Sequence, residues 1–426
     1  MGCAGSKPTS SGDAVSGGGA TKPQQVKVAI GAKEKRRHAV ISEVDENMST
    51  EDVCKLLCEM GKRSKLPLDT ASPELAKGDG GNVSAPDDDG GEKWGDLELR
   101  RIIGVGAFGR VKLVVHAPTG NTCALKCMRK SQVVANKLQS RVLDEKNILA
   151  RMEHPFILSL LQTYQDAGEL YMLLNTALGG ELFSLLFKRA PLPDPSAKFY
   201  AASAVCLVSY LHSQKVLYRD LKPENLLLDH TGFLKLVDFG CAKILSAART
   251  FTLCGTPAYL APEILRNKGH GFGVDWWCVS ILSFECLTGT TPFVSNDPME
   301  GFRNAIECRV PWPPTMTTMS RDFIDRLLTV DDASRLGCMD GGSADVRDHP
   351  WFCGWSWDNL ENKRLPSPYV PKIVSQFDDS NFAMFADDEA KLNYPEEAFP
   401  RDAFASFADA WVPSIQPEAS GVEVIP

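Results

Sequence analysis

The sequence predicts an α+β protein with two lobes, a small lobe rich in β-strands and a larger helical lobe. Residues 97–115 carry strand-forming side chains around a Gly-rich turn, and residues 122–128 predict a further strand. A helical pattern over 131–152 follows. Past residue 180 helical patterns dominate, notably over 195–213 and 276–288. The order of these patterns places the β-rich lobe first.

The chain of 426 residues divides into three predicted parts. Residues 1–93 are rich in Gly, Ser, Pro, Lys and Asp, and they offer too little apolar surface to offset the entropy of ordering. We expect a disordered arm there. Residues 97–352 hold enough apolar side chains for one two-lobed domain, and residues 353–426 form a C-terminal tail.

One segment of the arm has a helical pattern. Apolar residues recur at helical spacing between residues 49 and 63, after an N-cap at Ser49 or Thr50. These residues are Val53, Leu56, Leu57 and Met60. The pattern predicts a short amphipathic helix that ends at Gly61 and is followed by a flexible linker.

Composition excludes several classes of protein. The 46 basic and 54 acidic residues give a net charge of −8, so no global basic surface indicates nucleic-acid binding. The 13 cysteines lack metal-ligand spacing and no secretory signal is present, which favours reduced thiols in the cytoplasm. The sequence holds no apolar run long enough to span a membrane.

The first residues match a signal for lipid attachment. Met1-Gly2-Cys3-Ala4-Gly5-Ser6 has the pattern for N-myristoylation at Gly2, and the adjacent Cys3 is a candidate for palmitoylation. One myristoyl chain binds membranes only marginally, with a constant on the order of 10⁴ M⁻¹, so a second chain or nearby lysines are needed. The alternative is a Gly/Ser-rich start that matches by chance. We expect a cytoplasmic protein associated with membranes by acylation.

The Gly-rich turn predicts a nucleotide flap. The turn is Gly104-Val105-Gly106-Ala107-Phe108-Gly109, and a strand beginning at Val111 follows it where a dinucleotide site would need a helix. Lys126 lies on the next strand and suits the α- and β-phosphates. Glu145 falls on the following helix and is placed to orient Lys126.

A second set of residues predicts phosphoryl transfer. In the segment from Tyr218 to Asn225, Asp220 is the candidate base for a hydroxyl proton and Lys222 neutralises charge on the phosphoryl group. Asn225 and Asp238, the latter in Asp-Phe-Gly, are candidate Mg²⁺ ligands. Taken singly, each has an ordinary structural explanation, such as a surface lysine or a turn aspartate. Their joint order and spacing favour catalysis, with a folded but inactive relative as the alternative.

On these motifs, residues 97 to about 411 resemble the AGC group of protein kinases, in the cyclic-nucleotide-dependent branch. The run from Leu253 to Pro257 and the Asp275-Trp276-Trp277 run carry the resemblance to the branch. Other runs are more similar to cGMP-dependent than to cAMP-dependent kinases, namely 229–232, 235–238, 267–270 and 296–299. The resemblance implies a bilobal protein kinase fold, ATP and Mg²⁺ as cofactors, and Ser/Thr substrates in basic protein sequences.

The resemblance also implies roles for individual residues. Thr252 matches the activation-loop phosphosite, with Arg219, Lys243 and Arg141 around its phosphate, and Thr256 would bridge Asp220 and Lys222. Glu263 would pair with Arg335. The further ATP contacts implied are Val111, Ala124, Leu174, Glu181 and Phe382. The implied substrate contacts are the acids Glu181, Glu224 and Glu285 for arginines and the apolar Leu253, Pro257 and Leu260. The alternative for the acids is a position on solvated helix faces.

Some positions depart from the family pattern or match it weakly. Asn175 replaces the hinge Glu, and Ala258 replaces a Glu of the Thr-Pro-Glu-Tyr run. In the tail, Phe382 and Phe385 match the stretch whose aromatics approach the nucleotide. Residues 404–407 resemble the terminal hydrophobic motif that docks on the small lobe, and Trp411 is the alternative.

The arm contains a substrate-like run. The run is Arg36-Arg37-His38-Ala39-Val40, which matches a substrate of the form Arg-Arg-X-Ser-hydrophobic except that alanine replaces the serine. We expect a pseudosubstrate, a segment that occupies the substrate cleft but cannot accept phosphate. The alternative is a basic patch for the membrane surface. Residues 1–93 are too few for a cyclic-nucleotide-binding domain, which leaves open a separate regulatory subunit. The rival to an enzyme is a membrane-tethered pseudokinase scaffold.

Overall fold

The computed structural model describes residues 39–40, 48–63, 96–106, 109–383 and 401–407. The small lobe is an antiparallel sheet of five strands in the order β2-β3-β4-β6-β5. Its strands are β2 (Leu97–Gly106), β3 (Gly109–His116), β4 (Asn121–Arg129), β5 (Leu160–Gln165) and β6 (Glu169–Asn175). The predicted strands are therefore present, and the Gly-rich turn joins β2 to β3.

The pattern over 131–152 corresponds to two helices, not to one. The structure has α2 (Lys130–Ala135) and α3 (Gln139–Leu149). Between them Lys137 has φ of 54°, a left-handed conformation that interrupts the helix. The break lets α3 pack against the sheet with Glu145 buried towards β4.

The large lobe is built on two long helices, α5 (Asp194–Ser213) and α7 (Gly273–Thr288), which pack against each other. α7 is buried on nearly all sides, which agrees with its mostly apolar sequence. The other helices are α4 (Leu182–Arg189), α6 (Pro262–Leu265), α8 (Pro298–Ile306), α9 (Thr318–Leu327), α10 (Ser343–Arg347) and α11 (Trp357–Glu361). None of the described helices has the length and apolar character to cross a membrane.

Short strands at the base of the cleft carry the segments with the catalytic motifs. β8 (Leu226–Leu228) pairs with β9 (Leu234–Leu236), and β7 (Val216–Leu217) pairs with β10 (Lys243–Ile244). Each pair is antiparallel, and the residues of β7 and β9 are all buried. The loops that enter and leave these strands are thereby fixed on the large lobe.

The predicted amphipathic helix is present as α1 (Thr50–Arg63). Ser49 caps it, since its Oγ accepts a hydrogen bond from the Asp52 backbone N–H at 3.2 Å. Gly61 does not end the helix, which continues to Arg63, so that prediction was wrong. A single glycine weakens a helix without forcing it to stop.

The substrate-like run contributes a strand. β1 (Ala39–Val40) pairs antiparallel with β11 (Cys254–Gly255), with Ala39 opposite Gly255 and Val40 opposite Cys254. The resemblance of this run to a substrate predicted a position in the cleft but not the register of its pairing. Arg36 and Arg37, with Gly2 and Cys3, lie outside the described residues.

Residues 404–407 of the tail dock on the small lobe. Phe404 and Phe407 are fully buried and lie next to α3 and β5. The Lys146 Nζ donates to the Ser406 carbonyl at 2.9 Å, and the Gln165 Nε2 donates to the Phe404 carbonyl at 3.3 Å. The predicted docking of residues 404–407 is confirmed, whereas Phe385 and Trp411 lie outside the described residues.

Candidate active site

Lys126 lies at the centre of the cleft between the lobes. Its Nζ is 2.5 Å from the Glu145 Oε1 on α3 and 3.4 Å from the Asp238 Oδ1 on the large lobe. Burial acts to lower the pKa of Lys126, but the carboxylates of Glu145 and Asp238 outweigh burial and raise it. Lys126 therefore remains a cation held in one position between the lobes.

The Gly-rich turn needs glycine at Gly109. A Cβ there would lie 1.8 Å from the Cys127 carbonyl oxygen, so any side chain would separate β3 from β4. Gly104 and Gly106 lie on β2 and Val105 is exposed, at 52%. Ala107 and Phe108 lie outside the described residues.

An apolar cluster lies beneath the turn. It contains Ile103, Leu113, Ala124 and Leu178, and the half-buried Val111, Leu174, Ile373 and Phe382 pack against it. Four residues predicted to contact ATP are thus brought together by β3, β4, β6 and the tail, namely Val111, Ala124, Leu174 and Phe382. Apolar side chains grouped in this way suit contact with the flat face of a nucleobase.

Asp220 and its neighbours form a buried network on the large lobe. The Thr256 Oγ1 donates to the Asp220 Oδ1 at 2.7 Å and accepts from the Lys222 Nζ at 2.7 Å, which is the bridge that the resemblance implied. The Asn225 Nδ2 donates to the Asp220 Oδ2 at 2.7 Å. Asp220 and Lys222 are each 1% exposed, so these bonds fix both groups.

Asn225 and Asp238 fit a magnesium site. The Val237 N–H donates to the Asn225 carbonyl at 3.0 Å, which brings the two side chains to one end of the β8–β9 pair. Both offer oxygen donors, the ligands that Mg²⁺ prefers. Within the described ranges no group of three or more His, Cys, Asp or Glu is arranged to hold a metal, but a Mg²⁺ that also takes phosphates and waters needs only one or two protein ligands.

A comparison with protein families matches residues 97–352 to the protein kinase domain. The chain belongs to the protein kinase family. It is 43% identical to the cAMP-dependent protein kinase catalytic subunit of Dictyostelium discoideum over 314 residues, which are 74% of this chain and 48% of that relative. It is also 43% identical to the cAMP-dependent protein kinase catalytic subunit PRKX of Mus musculus over 299 residues, 70% of this chain and 84% of that relative.

A cGMP-dependent kinase is matched almost as closely. The isozyme 2 forms cD5/T2 from Drosophila melanogaster are 41% identical over 291 residues, which are 67% of this chain and 31% of that relative. These relatives make the chain a serine/threonine kinase of the AGC group, in the cyclic-nucleotide branch. They do not separate the cGMP-dependent from the cAMP-dependent type.

Two residues of this kinase have positioning roles that sequence reasoning missed. The Asp275 carboxylate, fully buried on α7, accepts the backbone N–H of Tyr218 at 3.0 Å and of Arg219 at 2.7 Å. Arg219 has φ of 71°, so this carboxylate holds the strained start of the catalytic loop. The Tyr218 hydroxyl donates to the Val237 carbonyl at 2.6 Å and so ties the loop to the strand that precedes Asp238.

The activation segment of the kinase presents a cationic cluster near Thr252. The Thr252 hydroxyl is 3.4 Å from that of Thr250, which accepts from the Lys243 Nζ at 3.1 Å. The Arg219 Nη1 is buried and has no hydrogen-bond partner among the described residues. Burial lowers the pKa of Arg141, and the nearby Arg219 guanidinium lowers it further. Such clustered cations are suited to a phosphate.

The three predicted substrate acids lie on different elements of the large lobe. Glu285 on α7 accepts a hydrogen bond from the Tyr259 hydroxyl and is 3% exposed, and Glu224 is 9% exposed. Neither is on a solvated helix face. Glu181 is half-buried at the start of α4, and its backbone forms an isolated antiparallel β-bridge with Leu227.

The predicted apolar substrate pocket lies beside β11. Leu253 and Leu260 are buried, and Pro257 is half-buried. A Cβ on Gly255 would lie 3.3 Å from the Leu260 side chain and 2.7 Å from the Arg219 carbonyl. Gly255 therefore connects the pocket to the residue that precedes Asp220, and any strand paired with β11 passes beside both.

Glu263 and Arg335 form the predicted structural ion pair of the large lobe. The Arg335 Nη1 and Nη2 donate to the two Glu263 carboxylate oxygens at 2.7 and 2.9 Å. Arg335 is fully buried and its remaining donors reach the Thr329 and Gly273 carbonyls. The pair fixes the end of the activation segment at α6 to the core helix α7.

Proposed function

We propose that this kinase transfers the γ-phosphate of ATP to Ser or Thr in sequences with preceding arginines. We also propose that the substrate-like run Arg36–Val40, from here on the Ala39 segment, inhibits the kinase in cis. Lys126 would hold the nucleotide phosphates, and Asp220 would accept the hydroxyl proton as the oxygen attacks phosphorus. Bound Mg²⁺ would neutralise phosphate charge at Asn225 and Asp238. The Thr256 bridge keeps Lys222 and Asp220 in place.

The preference for arginine rests on buried acids. Glu224 lies in the segment that carries Asp220 and Glu285 lies on α7, and both carboxylates have little exposure. Guanidinium groups recognise carboxylates through charge-assisted hydrogen bonds. The apolar side chains of Leu253 and Leu260 offer a site for a hydrophobic residue after the phosphorylated one. A peptide of the form Arg-Arg-X-Ser-Val meets both requirements.

One observation supports inhibition above all, the antiparallel pairing of Ala39 with Gly255. A chain paired in this register runs next to the loop that carries Asp220. Ala39 has no hydroxyl and cannot accept phosphate, and its backbone would hold the place that a substrate backbone takes beside β11. The segment would therefore compete with peptide and leave the ATP site unaffected.

The test is ³²P transfer from Mg-ATP to an Arg-Arg-X-Ser-Val peptide. We expect the chain lacking residues 1–46 to have a lower peptide KM than the full chain with a similar kcat, and we expect added cGMP or cAMP to change neither value. An unchanged KM would refute inhibition by the arm. An absence of transfer by both proteins after phosphorylation of Thr252 would favour the pseudokinase scaffold, with Asp220→Asn as the matched inactive control.

We also propose acylation at Gly2 and Cys3 as the means of membrane attachment, on the basis of the sequence pattern alone. Two acyl chains bind stably where one binds reversibly. In cell fractionation, Gly2→Ala should release the kinase to the soluble fraction, and Cys3→Ser should release part of it. Membrane recovery of the Gly2→Ala variant equal to that of the unmodified chain would contradict acylation.

A further inference from the structure

The inner face of α1 is buried against the large lobe. Val53, Cys54 and Leu57 are 1–2% exposed, whereas Glu51 and Lys55 on the opposite face are exposed. A helix of 14 residues is marginal in water by itself, so α1 depends on this contact for its stability. The contact is therefore an interface between the arm and the large lobe.

The surface beneath α1 is formed by α6, α8 and the activation segment. α1 contacts both helices and also β1. Val53 lines a small cavity together with Phe251, Leu253 and Ile264. The Asn267 Nδ2 donates to the Met48 carbonyl at 3.4 Å, just before the helix begins. The arm thus meets the large lobe at two places, β11 and this surface.

We propose that α1 is a docking anchor that raises the effective concentration of the Ala39 segment at β11. The inference rests on the proposed inhibition in cis. The two contact points are separated in sequence by residues 41–47, which span at most about 25 Å when extended. A tether of this length gives an effective concentration on the order of millimolar, so a short segment of weak intrinsic affinity competes well with peptide.

The anchor also depends on the conformation of the kinase. Phe251, Thr252 and Leu253 belong to the activation segment, and all three line the cavity beside Val53. A rearranged activation segment would remove part of the surface on which α1 packs. The arm therefore binds the kinase when its peptide-binding elements are assembled as they are here.

Cys54 provides a direct reporter of docking. Its thiol is 2% exposed, and burial together with the neighbouring Cys58 raises the pKa of Cys54 to about 11. A thiol in this environment reacts slowly with alkylating reagents, and release of α1 would expose it. Cys353 is exposed on the large lobe and serves as the internal standard.

The experiment compares Leu57→Glu with Lys55→Gln in the full chain. Both changes alter the net charge by the same amount, but only Leu57 lies in the interface. We expect Leu57→Glu to lower the apparent peptide KM about tenfold or more, because it removes a fully buried leucine from the interface between α1 and the large lobe. It should also accelerate iodoacetamide labelling of Cys54, measured by mass spectrometry. Leu57→Ala should also lower the peptide KM and raise the labelling rate of Cys54, each by a smaller factor.

The outcomes distinguish a failure of the α1 anchor from a failure of inhibition by the Ala39 segment. Lys55→Gln should leave both values unchanged, and equal kcat at saturating peptide shows that the variants are folded. If the double variant Arg36→Ala/Arg37→Ala lowers KM and Leu57→Glu does not, the anchor is refuted while inhibition by the arm stands. If Cys54 labels as fast in the unmodified chain as in Leu57→Glu, docking of α1 is refuted. If neither arm variant lowers KM, the proposed inhibition itself fails.

Discussion

The change Thr256→Val tests the catalytic network most sharply. Valine has nearly the same shape as threonine, so the packing of this residue, which is 2% exposed, is retained while its hydroxyl is lost. The change removes the bond that Lys222 donates and the bond that Asp220 accepts, each 2.7 Å long. Lys222 and Asp220 stay buried and lose a shared partner.

The size of the effect follows from these two bonds. A hydrogen bond to a charged group contributes about 1.5–3 kcal/mol, so the full loss corresponds to about 3–6 kcal/mol. The Lys222 Nζ still lies 3.2 Å from the Asp220 Oδ2 and retains part of the orientation. We therefore expect the lower end, a fall in kcat of about 10²-fold.

The assay is steady-state phosphorylation of an Arg-Arg-X-Ser-Val peptide, with kcat and KM determined separately. Thr256→Ser keeps the hydroxyl and is the control, with kcat expected within about threefold of the unmodified kinase. The peptide KM should change little, because Thr256 bonds catalytic groups. If Thr256→Val keeps kcat within threefold, or if Thr256→Ser loses as much as Thr256→Val, the positioning role is refuted.

Three further predictions concern buried polar groups. Arg335→Met should lower stability by about 3–5 kcal/mol, because it strands the buried Glu263 carboxylate, and the double variant Glu263→Leu/Arg335→Met should recover most of the loss in denaturant unfolding. Asp275→Asn should lower kcat and the melting temperature together, since an amide cannot accept both backbone N–H groups without turning its NH₂ towards one of them; an unchanged kcat would contradict this role. Burial lowers the pKa of His154 to about 4, so the unfolded chain binds more protons between pH 6.5 and 4 and stability falls as pH falls through that window. From pH 7 to 5 the unmodified kinase should lose about 2 kcal/mol more than His154→Asn, and equal losses would refute the assignment.

Local sequence motifs predicted much of the site. Lys126, Asp220, Asn225 and Asp238 each lie in a short run whose residue types and order are dictated by phosphoryl transfer, so their convergence in the cleft could be anticipated. Glu145 was predictable because a buried lysine needs a partner and the next helix offered one.

Contacts between distant segments could not be predicted in the same way. The pairing of Ala39 with Gly255 and the burial of Leu57 depend on surfaces that form only after the large lobe has folded. Asp275 supports Arg219 from a helix 56 residues further along the chain, and no periodicity indicates such a contact. The break at Lys137 was missed because a left-handed lysine has no local signal in the sequence.

The most direct test of inhibition by the arm adds the hydroxyl that the arm lacks as a substrate. Ala39→Ser adds a hydroxyl to the residue that pairs with Gly255. With Mg-ATP, the purified variant should incorporate phosphate at position 39 with a rate constant that does not depend on enzyme concentration, as read by mass spectrometry. An absence of phosphate at position 39, in a preparation that phosphorylates free Arg-Arg-X-Ser-Val peptide, would contradict the placement of the arm as a pseudosubstrate.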